Sequence, residues 1–225
     1  MRKMTFISSI TGLGMVLAGC VSHKEASSDR IKAEREAAQV VFDEQGEALL
    51  PKGYRSWVHV STSWLPITTS LLDGMITKTP ELFNTYVEPI AFKTYVKTGE
   101  WPDGTLFAKE FTTTRVDAEC DGPPAYVCKR WYGKAIFQSA YTGVAIMLKD
   151  KKRFPNEPGN WAYFSFGHQP PPYQPASPPR ARERCAQCHI DRAGPKLDYV
   201  FSVERIGLDR AGDSRRDILE ASLPD

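Results

Sequence analysis

The sequence predicts an α+β domain built mainly on an antiparallel β-sheet with a few helices. Three observations carry this reading. Short runs rich in β-branched and aromatic residues recur from Ser56 to Phe166, turns of Gly, Pro and Asp separate them, and the helical patterns are brief. With 225 residues, 41% hydrophobic and 25% charged side chains, the chain suits one ordinary globular domain and excludes a disordered tail protein.

The elements follow in order. Residues 1–19 read as an export signal: Arg2 and Lys3 are basic, and the stretch from Met4 to Ala18 is apolar but too short to span a bilayer. Leu17-Ala18-Gly19-Cys20 resembles a bacterial lipobox, which implies cleavage before Cys20, a lipid on its thiol, and a periplasm-facing address at the outer membrane. Residues 20–28 are polar and read as the lipidated tether, and 29–225 as the domain. Asp29 to Phe42 predicts a helix with a thin apolar stripe, ended by Gly46. Strands are expected at Ser56–Ser63, Leu82–Glu88, Thr105–Thr113, Tyr132–Ser139, Val144–Lys149 and Trp161–Phe166. Pro89 to Lys97 predicts one helix, with Pro in its first turn and Gly99 past its end. Residues 169–179 form a spacer, with six prolines between 170 and 179, and Arg180 to Cys188 can be helical.

Charge narrows the partners. Lys plus Arg is 29 and Asp plus Glu 27, too balanced for a protein that binds phosphate backbones through clustered cations, so no nucleic acid is expected. The five cysteines all find a place. Cys20 is the lipidation site. Cys120 and Cys128 flank a loop containing Asp121-Gly122-Pro123-Pro124, and in an exported protein they predict a disulfide.

Cys185-Ala186-Gln187-Cys188-His189 matches the C-x-x-C-H pattern of covalent haem attachment. Thiols three positions apart can each reach one vinyl group, and the adjacent imidazole lies under the iron, so one haem c is expected near the C-terminus with His189 as proximal ligand. A redox pair would want a preceding strand, and a zinc site two more ligands nearby; neither context is present. No Met follows His189. The upstream candidates for a sixth ligand are Met75, Met147, His59 and His168, with His23 in the tether, and three of them have an ordinary reading: core for Met147, packed or surface imidazole for His59, solvated or capping for His168. The sixth position is therefore expected to be open to small molecules, with six-coordinate electron transfer as the alternative.

One further residue is out of place. Along Thr105–Thr112 a period of two puts Phe107, Lys109 and Phe111 on one face and Leu106, Ala108 and Glu110 on the other. A lysine between two aromatics is either a desolvated amine usable as ligand or nucleophile, or a lysine snorkelling at a sheet edge.

Several segments together resemble the cytochrome P-460 family. They are Tyr54-Arg55-Ser56-Trp57, Asn84 to Pro89, Lys97-Thr98-Gly99-Glu100, Asp103-Gly104-Thr105 with Lys109-Glu110, Lys149-Asp150 with Arg153-Phe154, Asn156 to Ala162, Cys185 to His189, and Asp198 to Phe201. The resemblance implies a largely β fold, usually dimeric, with haem c held by His189 and its other face open. It implies that Lys109 is the lysine cross-linked to the haem, and that hydroxylamine is oxidised to nitric or nitrous oxide, with electrons leaving to a partner cytochrome. The sister cytochromes c′-beta share the fold without the cross-link and bind nitric oxide or carbon monoxide in an aromatic pocket. This chain has Phe83 where the P-460 enzymes have an arginine; Phe83 either caps the distal side of the iron or is a core aromatic away from it. Ser177 to Arg180 offers no carboxylate to take protons from hydroxylamine; the next is Glu183.

Overall fold

The computed structural model describes residues 40–202 and 208. Cys20 and most of the helix expected over Asp29–Phe42 lie outside them; the last part of that stretch is not helical, and Phe42 bridges Ala48.

The main sheet is antiparallel throughout, in the order β2-β3-β4-β7-β8. Its strands are β2 Val58–Leu65, β3 Glu81–Val87, β4 Leu106–Thr114, β7 Gln138–Lys149 and β8 Trp161–His168. A short strand β1, Ala48–Leu49, pairs with β9, Ala176–Ser177, and β5, Cys128–Arg130, forms a hairpin with β6, Gly133–Ala135. The disulfide Cys120–Cys128 forms as expected and ties the base of that hairpin. Helix α1, Pro89–Thr98, starts where the Glu88 carboxylate accepts from the Ile90 and Ala91 amides at 2.8 and 2.7 Å, and it ends on Gly99. It buries Tyr95, which stacks on Trp101 at 3.8 Å.

Two expected strands are redrawn. In place of Tyr132–Ser139 there are β6 and the start of β7, and β7 then runs without a break through the stretch expected to begin at Val144. Gly143, which reads as a turn residue, sits inside the strand at a register shift. A Cβ there would meet the Leu72 side chain and stand 2.7 Å from the Gly167 carbonyl oxygen, so the glycine marks a close backbone approach rather than a chain reversal.

The sheet is covered on both faces. One face packs Leu106, Ala108, Val144, Ile146, Leu148, Phe164 and Phe166 against Ala48 and Tyr54. The other carries Phe107, Trp161 and Tyr163 among the residues that pack with α1 and the C-terminal segment. On the first face Glu110 is 1% exposed. Its carboxylate accepts from the Tyr54 hydroxyl at 2.6 Å, Arg55 Nε at 3.0 Å and the Tyr173 hydroxyl at 3.2 Å. Burial, with the Glu110 charge and hydrogen bond, pushes the Tyr173 hydroxyl up to about 12 and moves Tyr54 up as well.

At the far end of the sheet His168 bridges two carboxylates, Nδ1 to Asp73 at 2.9 Å and Nε2 to Glu81 at 3.0 Å. Glu81 also accepts from the Thr142 hydroxyl at 3.0 Å. Burial by itself would lower the His168 pKa, but the hydrogen bonds to Glu81 and Asp73 outweigh it and hold the imidazole above its ordinary range. Burial would raise Asp73, yet its bonds to the Met75 amide and His168 hold it below the usual carboxylate range.

Two outcomes follow. Arg55→Met strips the cation from a buried carboxylate and is expected to cost about 2–3 kcal/mol in urea unfolding, less than for a fully buried pair because Arg55 is half-exposed. The His168 contribution is whole below the ordinary imidazole value of 6.5 and fades as pH rises through the raised one; that of Asp73 is whole above 3.8 and fades as pH falls through the lowered one. His168→Gln should therefore flatten the decline in urea midpoint above pH 6.5.

Candidate functional site

A half-open cleft lies on the sheet face that carries Phe107, Lys109 and Phe111 of β4. Ala145 and Met147 of β7 and Tyr163 and Ser165 of β8 extend this wall. The facing wall is the C-terminal segment: Arg184, Cys185, Cys188 and His189, then Val200 and Phe201. The cleft therefore joins the two features that the sequence singles out separately, the C-x-x-C-H segment and the lysine between two aromatics.

The expected helix over Arg180–Cys188 is instead a short 3₁₀ turn at Arg182–Arg184 followed by α2, Ala186–Arg192. Cys185 stands at the head of α2, half-buried, and Cys188 is exposed one turn on. Burial pushes the Cys185 thiol up, against the pull of Arg180, Lys109 and Arg184. His189 donates its Nδ1 hydrogen to the Tyr199 carbonyl at 2.7 Å. That bond assigns the tautomer, with the lone pair on Nε2. The Tyr163 and Phe201 rings hold the imidazole from two sides, each with its centroid at 4.8 Å.

Lys109 is not at a sheet edge. Strand β4 is third of five, its neighbours at this level are Thr85 and Ala145, and the side chain is half-buried with Nζ 4.3 Å from the Phe83 ring centroid. Phe83 is not among the cleft-lining residues. It lies on β3, one strand outward, packed at 5.6 Å against Phe111 and clustered with Leu72. The aromatic wall of the cleft is made by Phe107 and Phe111, and Phe83 backs the lysine.

The candidate sixth ligands divide. Met147 lines the cleft, paired with Phe107 across the sheet. His59 lies elsewhere, exposed, against the Tyr86 ring at 5.5 Å with Nε2 3.0 Å from the Thr62 hydroxyl. His168 is held by Asp73 and Glu81 rather than solvated, and Met75 is exposed. Among the described lining residues there is no carboxylate. Sequence reasoning missed the Tyr199 carbonyl, which reaches His189 only through a left-handed turn at Asp198 and Tyr199, and the Asp73–His168–Glu81 bridge, which joins segments far apart in the chain.

The side chains present fit a haem: two thiols three positions apart, one at the head of α2 and one in its first turn, an imidazole whose lone pair is on Nε2, and an apolar, aromatic surround. Among the described residues no helix is long and apolar enough to cross a membrane. A family model described as Cytochrome P460 matches residues 51–202. A comparison with curated proteins finds no match.

Proposed function

This chain belongs to the cytochrome P-460 family, and we propose that it is a monohaem c-type cytochrome that binds and oxidises small nitrogen species of the hydroxylamine and nitric oxide class. The family implies a haem; the finer assignments are ours. Cys185 and Cys188 hold the macrocycle by thioether bonds, and His189 Nε2 is the proximal ligand. When bound, the haem supplies an iron that takes up the nitrogenous ligand and accepts electrons from it.

The observation that carries this reading is that Lys109 lines the same cleft as the C-x-x-C-H residues. The central strand holds the lysine against that wall, with Phe83 behind its amine, so it is the candidate for the haem cross-link. Phe107 and Phe111 keep water from the ligand side. On the proximal side, the bond from His189 to the Tyr199 carbonyl orients the ring and raises its basicity. Electrons leave to an acceptor cytochrome, and the chain works as a homodimer held by the Cys20 lipid on the periplasmic side of the outer membrane.

A specific observation favours a second reading, a c′-beta-like binder of nitric oxide or carbon monoxide without turnover. The cleft lining carries no carboxylate among the described residues, so no side-chain base stands ready to take protons from hydroxylamine.

Digestion and mass spectrometry separate these readings. Haem on the Cys185–Cys188 peptide, joined also to the Lys109 peptide, supports the enzyme; haem on the cysteine peptide without Lys109 supports the binder; a protein without covalent haem contradicts both. Lys109→Ala is expected to abolish a red-shifted P-460-type absorption band, and an unchanged spectrum would show the lysine uninvolved. Replacing Cys185 and Cys188 together by Ala should remove all haem that resists acid–acetone extraction.

A further inference from the structure

Three segments meet at the turn that carries the Tyr199 carbonyl, and the proposed roles leave three of their residues unused: Lys149 at the end of β7, Gly159 just before β8, and Asp198 after α2. We propose that Lys149, Asp198 and Gly159 are positioning residues that aim the Tyr199 carbonyl at His189, and thereby set how strongly the imidazole donates to the haem iron. The inference rests on the haem reading above.

The backbone is the first ground. Asp198 (φ 49°, ψ 38°) and Tyr199 (φ 59°) are consecutive non-glycine residues in the left-handed region. An aspartate tolerates that conformation; a tyrosine following it does so only where its surroundings enforce it. Those surroundings are present. The Asp198 amide donates to the Pro195 carbonyl at 3.1 Å, and the Tyr199 amide to the Gly194 carbonyl at 2.8 Å. Trp161 Nε1 donates to the Asp198 carbonyl at 2.8 Å, and the Asp198 carboxylate pairs with Lys149 Nζ. The outcome of this arrangement is the 2.7 Å bond from His189 Nδ1 to the Tyr199 carbonyl.

The second ground is where the fastening begins. Lys149 and Trp161 face each other across β7 and β8, so both grips on Asp198 come from one rung of the main sheet. Gly159 completes the fit. A Cβ there would stand 2.6 Å from Tyr199 Cδ2 and 2.9 Å from Asp198 Oδ1, and at φ 61° a side chain would be strained whatever the space. An alanine would push away the two residues that deliver the carbonyl.

The chemistry follows from the bond. A carbonyl accepting from Nδ1–H gives the ring part of the character of an imidazolate, which strengthens Nε2 as a donor and favours the oxidised metal. Loosening Asp198 lengthens or bends that bond, weakens the donor and favours the reduced metal.

The test uses the haem-loaded full chain and reads two quantities: the iron–histidine stretch of the ferrous protein by resonance Raman, and the midpoint potential. Asp198→Asn and Lys149→Met are expected to lower the stretching frequency and raise the potential; Gly159→Ala should do the same. Lys149→Arg, which keeps the cation, should return both towards the parent values. Lys134→Met, which removes an exposed pair with Asp121 on the β5–β6 hairpin, should change neither. If Lys149→Met does not fold, Asp198→Asn carries the test, since it keeps the backbone carbonyl that Trp161 holds. Variants that unfold at lower temperature but keep the parent stretch and potential overturn the inference while leaving the haem reading intact. A parent protein that carries no haem contradicts the reading itself.

Discussion

Strand β4 lies third of five in the main sheet, with both of its faces covered, so a charge on it must be met by partners rather than by bulk water. Two consecutive charges sit there. Glu110 points to one face and is met by Tyr54, Arg55 and Tyr173; Lys109 points to the other, where the Phe83 ring lies under its amine and the cleft opens beside it. The first arrangement serves the fold. The second places an amine on the wall of an apolar cleft, on a central strand rather than at a sheet edge. The alternation of a single strand thus separates a buried hydrogen-bonded cluster from the cleft wall that carries Lys109.

The same sheet governs the opposite wall. The last rung of β7 and β8 presents Lys149 and Trp161 to Asp198, and the turn so fastened carries the carbonyl that receives the His189 proton. The cleft is therefore framed by the sheet on one side and, on the other, by a C-terminal segment fastened to the end of that sheet. The loop containing Leu71 and Leu72 borders the cleft and is tied to β3 and β8 through Asp73, His168 and Glu81.

Much of this was legible beforehand, and the reasons differ by residue. Period-two alternation gave the faces of β4 correctly, because an enclosed strand leaves no freedom for a side chain to swap sides. Pro89 and Gly99 bounded α1 within a residue, since both act locally through the backbone. The C-x-x-C-H string marked a segment that lines the cleft, and the Cys120 and Cys128 spacing marked the disulfide. What escaped were interactions between distant segments. Gly143 signals a turn until Leu72 and the Gly167 carbonyl are seen to occupy the place of its side chain. For Phe83 the sequence left two places open, the ligand side and the core; it stands on the next strand outward, outside the cleft lining, a distinction in sheet order that spacing along one strand does not contain. His168 looked solvated because its two carboxylate partners lie 95 and 87 positions away.

The central claim is that His189 is the one side chain of this protein that ligates the iron, leaving the other side to an incoming molecule. The absorption spectrum of the purified ferrous protein, before and after addition of nitric oxide, tests it most directly. The account predicts a high-spin, five-coordinate spectrum that changes on addition of the gas. A low-spin, six-coordinate spectrum, unchanged by nitric oxide, would contradict it and would turn attention to Met147, the thioether that borders the same cleft.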